Sequence, residues 1–143
     1  MRSFSEQDTK QFAAQFVKKV FQRKSKGALV VALSGELGAG KTVFAKGFAK
    51  GLGLRKRIVS PTFVFVRRHE ISGGQFRNFY HVDAYRVQNK KSLAGLGLDE
   101  VFSDSTSLVL VEWAENVKSL LPKDTVWVRI KHGKEEKERI ISI

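Results

Sequence analysis

The chain has no cysteine, which excludes disulfides and thiolate metal sites and fits a reducing cytoplasm. Nowhere does an apolar run approach the roughly 18 residues a membrane-spanning helix needs. The opening Met1-Arg-Ser-Phe-Ser-Glu-Gln-Asp8 carries no apolar core of a secretory signal. The expectation is therefore a cytoplasmic protein with no membrane partner. Histidine is scarce, and none stands at the spacing of a transition-metal pair. Acids are the most unevenly missing residues: none falls between Leu37 and His69, against eight lysines and arginines there. The net charge is +12 over 143 residues. A field of that sign draws phosphate-rich partners such as RNA, or an acidic protein surface, or merely keeps a face solvated.

What is present is organised around one stretch. Ala28-Leu-Val-Val-Ala-Leu-Ser34 is a short, almost wholly apolar run that suits a strand buried on both faces. Gly35-Glu-Leu-Gly-Ala-Gly-Lys41-Thr42 follows and matches G-x-x-x-x-G-K-[ST], the phosphate-binding loop of nucleoside triphosphatases. Its glycines let the backbone turn N–H groups inward without Cβ clashes. Glu36, Leu37, Gly38, Ala39, Gly40 and Val43 would then form the cradle. Lys41 would reach the β- and γ-phosphates, and the Thr42 hydroxyl would ligate magnesium. A helix from Val43 to Lys50 would point its positive end at the anion.

The length predicts one domain over residues 1–143, with an α/β architecture. Ser5 should cap a first helix, with Asp8 three residues on, and Phe12, Ala13, Phe16, Val17, Val20 and Phe21 form its apolar stripe. Gly27 reads as the residue that stops this element. Thr9, in the first turn, reads by default as an ordinary exposed threonine. After Gly51-Leu-Gly-Leu54, the segment Ser60-Pro-Thr62-Phe63 offers Thr62 as a γ-phosphate sensor, or simply as a turn residue.

Phe63 to Glu70 and Gln75 to Asp83 read as an antiparallel hairpin across Gly73-Gly74, ending in His81-Val-Asp83-Ala-Tyr85-Arg86. An acid at a strand end, here Asp83, can hold magnesium through water or position an attacking water. His81 alone reads as packed or hydrogen-bonded rather than catalytic. Short helical turns are expected over Leu93–Phe102. Ser107-Leu-Val-Leu-Val-Glu112 is a second fully buried strand ending in an acid, a Walker B pattern that puts Glu112 near the magnesium. Trp113 reads as core packing by default. A short helix from Ala114 to Leu121 and a closing hairpin, Thr125–Ile130 with Arg139–Ile143, complete the chain. Guanine recognition is disfavoured, because Asn89-Lys-Lys-Ser92 lacks the Asp that would accept the base N–H groups.

Taken in order, Gly35–Thr42, Ser60-Pro-Thr-Phe63, His81-Val-Asp-Ala-Tyr-Arg86, Leu98-Asp-Glu-Val-Phe102 and Glu112-Trp113 resemble the bacterial TsaE family, also called YjeE. The resemblance spans essentially the whole chain. It implies a single P-loop NTPase-like domain: a mixed parallel/antiparallel sheet, helices on both faces and a C-terminal β-hairpin. It also implies a Mg²⁺-dependent ATPase, weak alone, that binds ATP and ADP and serves threonylcarbamoyladenosine modification of tRNA. In this picture the protein works with TsaD and TsaB rather than transferring the carbamoyl group itself, and tRNA is met directly or through that complex. By motif, Lys41 and Thr42 keep the roles above, and Glu112 and Asp83 are the acids at the metal and the attacking water, not distinguished from each other. Thr62 falls in a switch-like segment, Thr9 lies by the nucleotide, and Trp113 sits beside the acid. A nucleotide-sensing binder and a metabolite kinase are the competing classes.

Overall fold

A computed structural model describes residues 1–54, 66–87 and 96–143. In chain order these form β1 (Arg2–Ser3), α1 (Glu6–Phe21), β2 (Leu29–Ser34), α2 (Lys41–Gly51), β3 (Val66–Gly73) and β4 (Phe76–Asp83). Then come α3 (Leu98–Ser103), β5 (Ser107–Glu112), a 3₁₀ helix (Ala114–Leu120), β6 (Val126–His132) and β7 (Arg139–Ser142). The strands make one seven-stranded sheet in the order β1-β7-β6-β2-β5-β4-β3.

The two apolar runs take the centre, as their composition requires. β2 pairs in parallel with both β5 and β6, and β5 also pairs in parallel with β4. Every residue of β5 is buried, and so are the first five of β2. Side chains alternate between two cores. Leu29, Val31 and Leu33 face α1 and α2, while Val30 and Ala32 meet Val109, Val111, Ala114 and Val117 on the other side. The first core holds an aromatic cluster in which Phe16, Phe44, Phe48 and Phe79 follow one another at ring separations of 5.9–6.4 Å. Phe48 is fully buried, and truncating such a ring to alanine costs about 3–5 kcal/mol.

Ser5 caps α1, its side chain accepting from the Asp8 N–H at 3.0 Å. The helix ends at Phe21, earlier than Gly27. Gly27 serves a different need, because a Cβ there would lie 2.5 Å from the Phe102 carbonyl oxygen. The closing hairpin forms as expected, but it is more than an appendage. β6 joins β2 in parallel, and β7 carries the two-residue β1, an N-terminal strand too short to announce itself in a hydropathy pattern.

Candidate functional site

The carboxyl ends of three parallel strands converge on one point. Leu33 of β2 is in register with Glu112 of β5, and Glu112 with Asp83 of β4. The crevice beyond such ends, where connections diverge to both sides, is where open α/β sheets take ligands. The loop from Gly35 to Gly40 lies in this crevice and passes into α2.

Glycine is required in the loop for two distinct reasons. Gly38 and Gly40 have φ of 76° and 104° with open space around them, so backbone conformation alone demands them. At Gly35 a Cβ would lie 2.3 Å from the Ile130 carbonyl oxygen, so β6 leaves no room. No side chain caps α2, whose N-cap is Gly40. Its first N–H groups are left for a ligand, the arrangement that binds phosphate.

Lys41 is nearly buried, and its ammonium donates to the carbonyls of Gly35 and of Glu36, the latter at 2.9 Å. The indole of Trp113 lies beneath it, 3.7 Å from ring centroid to Nζ. Burial lowers the pKa of this lysine, and the nearby carboxylates of Glu115, Glu112 and Asp83 oppose that shift. Thr42 Oγ1 donates to Glu112 Oε1 at 3.1 Å. The other oxygen, Glu112 Oε2, lies 2.6 Å from His81 Nε2, and both residues are about 1% exposed. Asp83 is partly buried, and its Oδ1 accepts the Tyr85 N–H at 2.9 Å. Burial raises the pKa of Asp83 foremost, and the Glu112 charge adds to this against the Tyr85 N–H.

A hydroxyl–carboxylate pair at the start of a phosphate-loop helix is a hard-oxygen donor set that fits Mg²⁺ held jointly with phosphates. Among the described residues no group of three or more His, Cys, Asp or Glu could cage a metal. A magnesium that takes most of its ligands from phosphate and water fits that finding.

A second part of the site lies on the outer side of the loop. A cavity of about 480 Å³ is lined by Ser5, Glu6, Thr9, Gly38, Gly40, Val43, Glu136, Lys137 and Arg139. Thr9 is here, buried rather than exposed, with its hydroxyl 2.7 Å from Ser3 Oγ. Ser3 Oγ also donates to the Ser5 carbonyl at 2.8 Å, which uses its only hydrogen. Thr9 is therefore the donor to Ser3, and its remaining lone pairs can only accept. Arg139 donates from Nε to the Ala39 carbonyl at 3.1 Å, tying β7 to the loop.

The structure thus brings together Lys41, Thr42, Asp83 and Glu112 on the inner side and Thr9, Gly38, Gly40 and Val43 on the outer. Glu36 contributes a carbonyl, Ala39 is buried, and Leu37 projects outward at 75% exposed. Thr62 lies outside the described residues, as do the whole of Ser60–Phe63 and the first three residues of Leu93–Phe102, whose remainder forms the expected helical turn from Leu98. Arg139, Glu136 and Lys137 were not legible as site residues, because nothing in a charged hairpin turn signals that it folds back onto a loop a hundred residues away. Trp113 is partly buried and packs against the second core, as expected, but it also faces Lys41. It has φ 55°, the one positive-φ non-glycine among the described residues, and packs against the Tyr85 ring at 4.9 Å with the ring planes tilted by 47°.

A parallel strand, a glycine loop, a helix opened by Lys-Thr and an acid-tipped neighbouring strand define a P-loop NTPase-like α/β protein. Within that class, the family model for "Threonylcarbamoyl adenosine biosynthesis protein TsaE" matches residues 3–141, and the chain belongs to the TsaE family. The tRNA threonylcarbamoyladenosine biosynthesis protein TsaE of Bacillus subtilis is 42% identical over 110 residues, 76% of this chain and 66% of that protein. Its counterpart in Haemophilus influenzae is 32% identical over 119 residues, 83% of this chain and 73% of that one. The crystal structure of Bacillus subtilis YdiB superposes with a TM-score of 0.73 at 35% identity, covering 99% of this chain and 80% of that one. No described helix is long and apolar enough to cross a membrane.

Proposed function

We propose that this chain is the Mg²⁺-dependent ATP-binding and hydrolysing subunit of tRNA threonylcarbamoyladenosine synthesis. It acts in the cytoplasm on a TsaD–TsaB complex rather than transferring the carbamoyl group. The observation that carries the reading is the contact of Thr42 with Glu112 at 3.1 Å, beside a buried Lys41 and an uncapped helix start. Phosphoryl transfer to water asks a protein for positioning and charge neutralisation more than covalent chemistry. Lys41, oriented by two loop carbonyls and an indole, neutralises the triphosphate end. Mg²⁺, held through Thr42 and Glu112, would neutralise the remaining charge. The two acids divide the work: Glu112 has each oxygen engaged by the protein, whereas Asp83 stands at the crevice with a pKa raised by burial. We therefore assign the orientation of the attacking water to Asp83. The nucleoside extends into the outer cavity, where the acceptor-only Thr9 hydroxyl suits an exocyclic amino group such as that of adenine. Thr62 retains its proposed role in sensing the γ-phosphate.

The test is phosphate release from ATP by the purified chain, alone and with TsaD, TsaB and substrate tRNA, with Lys41→Ala as control. Strong stimulation by the partners that the variant abolishes is expected. Binding without stimulated release would favour a nucleotide sensor. ADP formed without free phosphate would indicate a kinase.

A further inference from the structure

We propose that His81 is a positioning residue for Glu112: its imidazole fixes one carboxylate oxygen so that the other stays on Thr42, where Mg²⁺ would be held. The proposal rests on the preceding reading of Thr42 and Glu112 as the protein's magnesium-binding pair.

The geometry is a three-residue chain, Thr42 Oγ1–Glu112 Oε1 at 3.1 Å and Glu112 Oε2–His81 Nε2 at 2.6 Å. An ionised carboxylate is an acceptor only, so His81 must present N–H at Nε2. The other ring nitrogen, Nδ1, is a buried side-chain atom without a partner among the described residues, so the whole polar engagement of the ring is with Glu112. The opposite tautomer would set two lone pairs against each other at 2.6 Å while leaving a buried N–H unsatisfied. Every arrangement that fits carries a proton on Nε2, which aims a donor at Glu112.

Packing alone does not account for this residue. Phe79 lies two residues earlier on the same face of β4, fully buried, and fills core space without any polar atom. A residue present only to fill the next position could be Phe or Leu, with no unpartnered nitrogen inside the sheet. What His81 supplies instead is restraint. The terminal torsion of a glutamate is broad and soft, and the Lys41 ammonium and the Glu112 carboxylate attract each other. A carboxylate held only at Thr42 could swing towards Lys41, which would remove both groups from the phosphate end together. Partners behind a metal-binding group act this way generally, and losing one typically costs about 10- to 100-fold in metal affinity.

The experiment is equilibrium binding of ADP to the full chain in Mg²⁺ and in EDTA, for wild type, Glu112→Gln, His81→Leu and His81→Gln. Mg²⁺ should tighten binding in the wild type and do so much less in Glu112→Gln. In His81→Leu the Mg²⁺ enhancement should fall by about 10-fold or more while affinity in EDTA stays within about twofold. His81→Gln, which keeps an N–H near the Nε2 position, should recover much of the enhancement. A folded His81→Leu with undiminished enhancement overturns the positioning role and leaves the Glu112 reading intact. Undiminished enhancement in Glu112→Gln overturns that reading itself, and this proposal with it. Should His81→Leu not fold, ¹⁵N-imidazole NMR of the wild type decides. The Nε2–H tautomer, with its resonance moved by Mg²⁺ and ADP, is expected; an Nδ1–H tautomer, or an Nε2 signal indifferent to the metal, rules the proposal out.

Discussion

The ammonium of Lys41 sits 3.7 Å from the centroid of the Trp113 ring, and Trp113 holds a left-handed backbone conformation to put it there. A bulky residue in that region carries roughly 1–2 kcal/mol of strain. Such strain gathers at functional sites because the surrounding contacts enforce it. Here the neighbours that hold Trp113 are the Tyr85 ring and the Asn116 N–H, which returns to the Trp113 carbonyl at 3.0 Å.

Trp113→Ala should weaken ATP binding about 5- to 30-fold, the loss of a desolvated cation–π contact of about 1–2 kcal/mol. Trp113→Phe should fall between the two. Calorimetric titration with ATP is the check, and equal affinities for wild type and Trp113→Ala would show that the ring does not hold the lysine.

Asp83→Asn should bind nucleotide yet release phosphate about 10²- to 10⁴-fold more slowly, the usual contribution of a group that handles the attacking water. Its effect on stability has a definite sign. The folded state raises the pKa of Asp83 above the ordinary 3.8, so the folded protein binds this proton more tightly than the unfolded chain. The wild type therefore loses stability as pH rises from about that value through the raised one, and the asparagine variant does not. Melting curves in the free protein should show Asp83→Asn gaining on wild type across that window and keeping the advantage at neutral pH. A constant difference from pH 3 to pH 7 would contradict the burial argument.

Gly47→Ala and Gly40→Ala separate space from backbone conformation. A Cβ at Gly47 would lie 2.4 Å from the Lys10 carbonyl oxygen, at the contact of α2 with α1. The alanine should cost about 1–3 kcal/mol by forcing the helices apart. Because α1 carries Thr9, nucleotide affinity should fall as well. Gly40 has open space but φ of 104°, so its alanine variant should disturb the loop and phosphate binding more than the melting temperature. Denaturant unfolding and nucleotide titration, run on both, distinguish the two causes.

Thr9→Val removes the donor to Ser3 and the acceptor facing the cavity. ATP affinity should drop about 3- to 10-fold, near 1 kcal/mol for one hydrogen bond, while GTP affinity changes little. Competition between the two nucleotides reads this directly. An unchanged ratio would place the base away from Thr9.

Much of this was fixed along the chain. The run Leu29–Ser34, the loop Gly35–Thr42 and the acid-tipped Ser107–Glu112 are local patterns, and burial on both faces leaves such strands little choice but the middle of a parallel sheet. The candidate residues Lys41, Thr42, Asp83 and Glu112 could be picked out because phosphate chemistry favours those residue types at strand ends and helix starts. Only the tertiary structure decided the rest. It gave His81, expected to be packed or hydrogen-bonded, its particular partner Glu112, since β4 and β5 had first to pair in register. It moved Thr9 from an expected surface to a buried hydroxyl behind Ser3, through a two-residue strand whose only signature is its pairing with β7. It also brought Arg139 to the loop across a hundred residues. Local pattern encodes which backbone a segment prefers; which side chains then meet depends on sheet order and register, and those are settled only when the whole core closes.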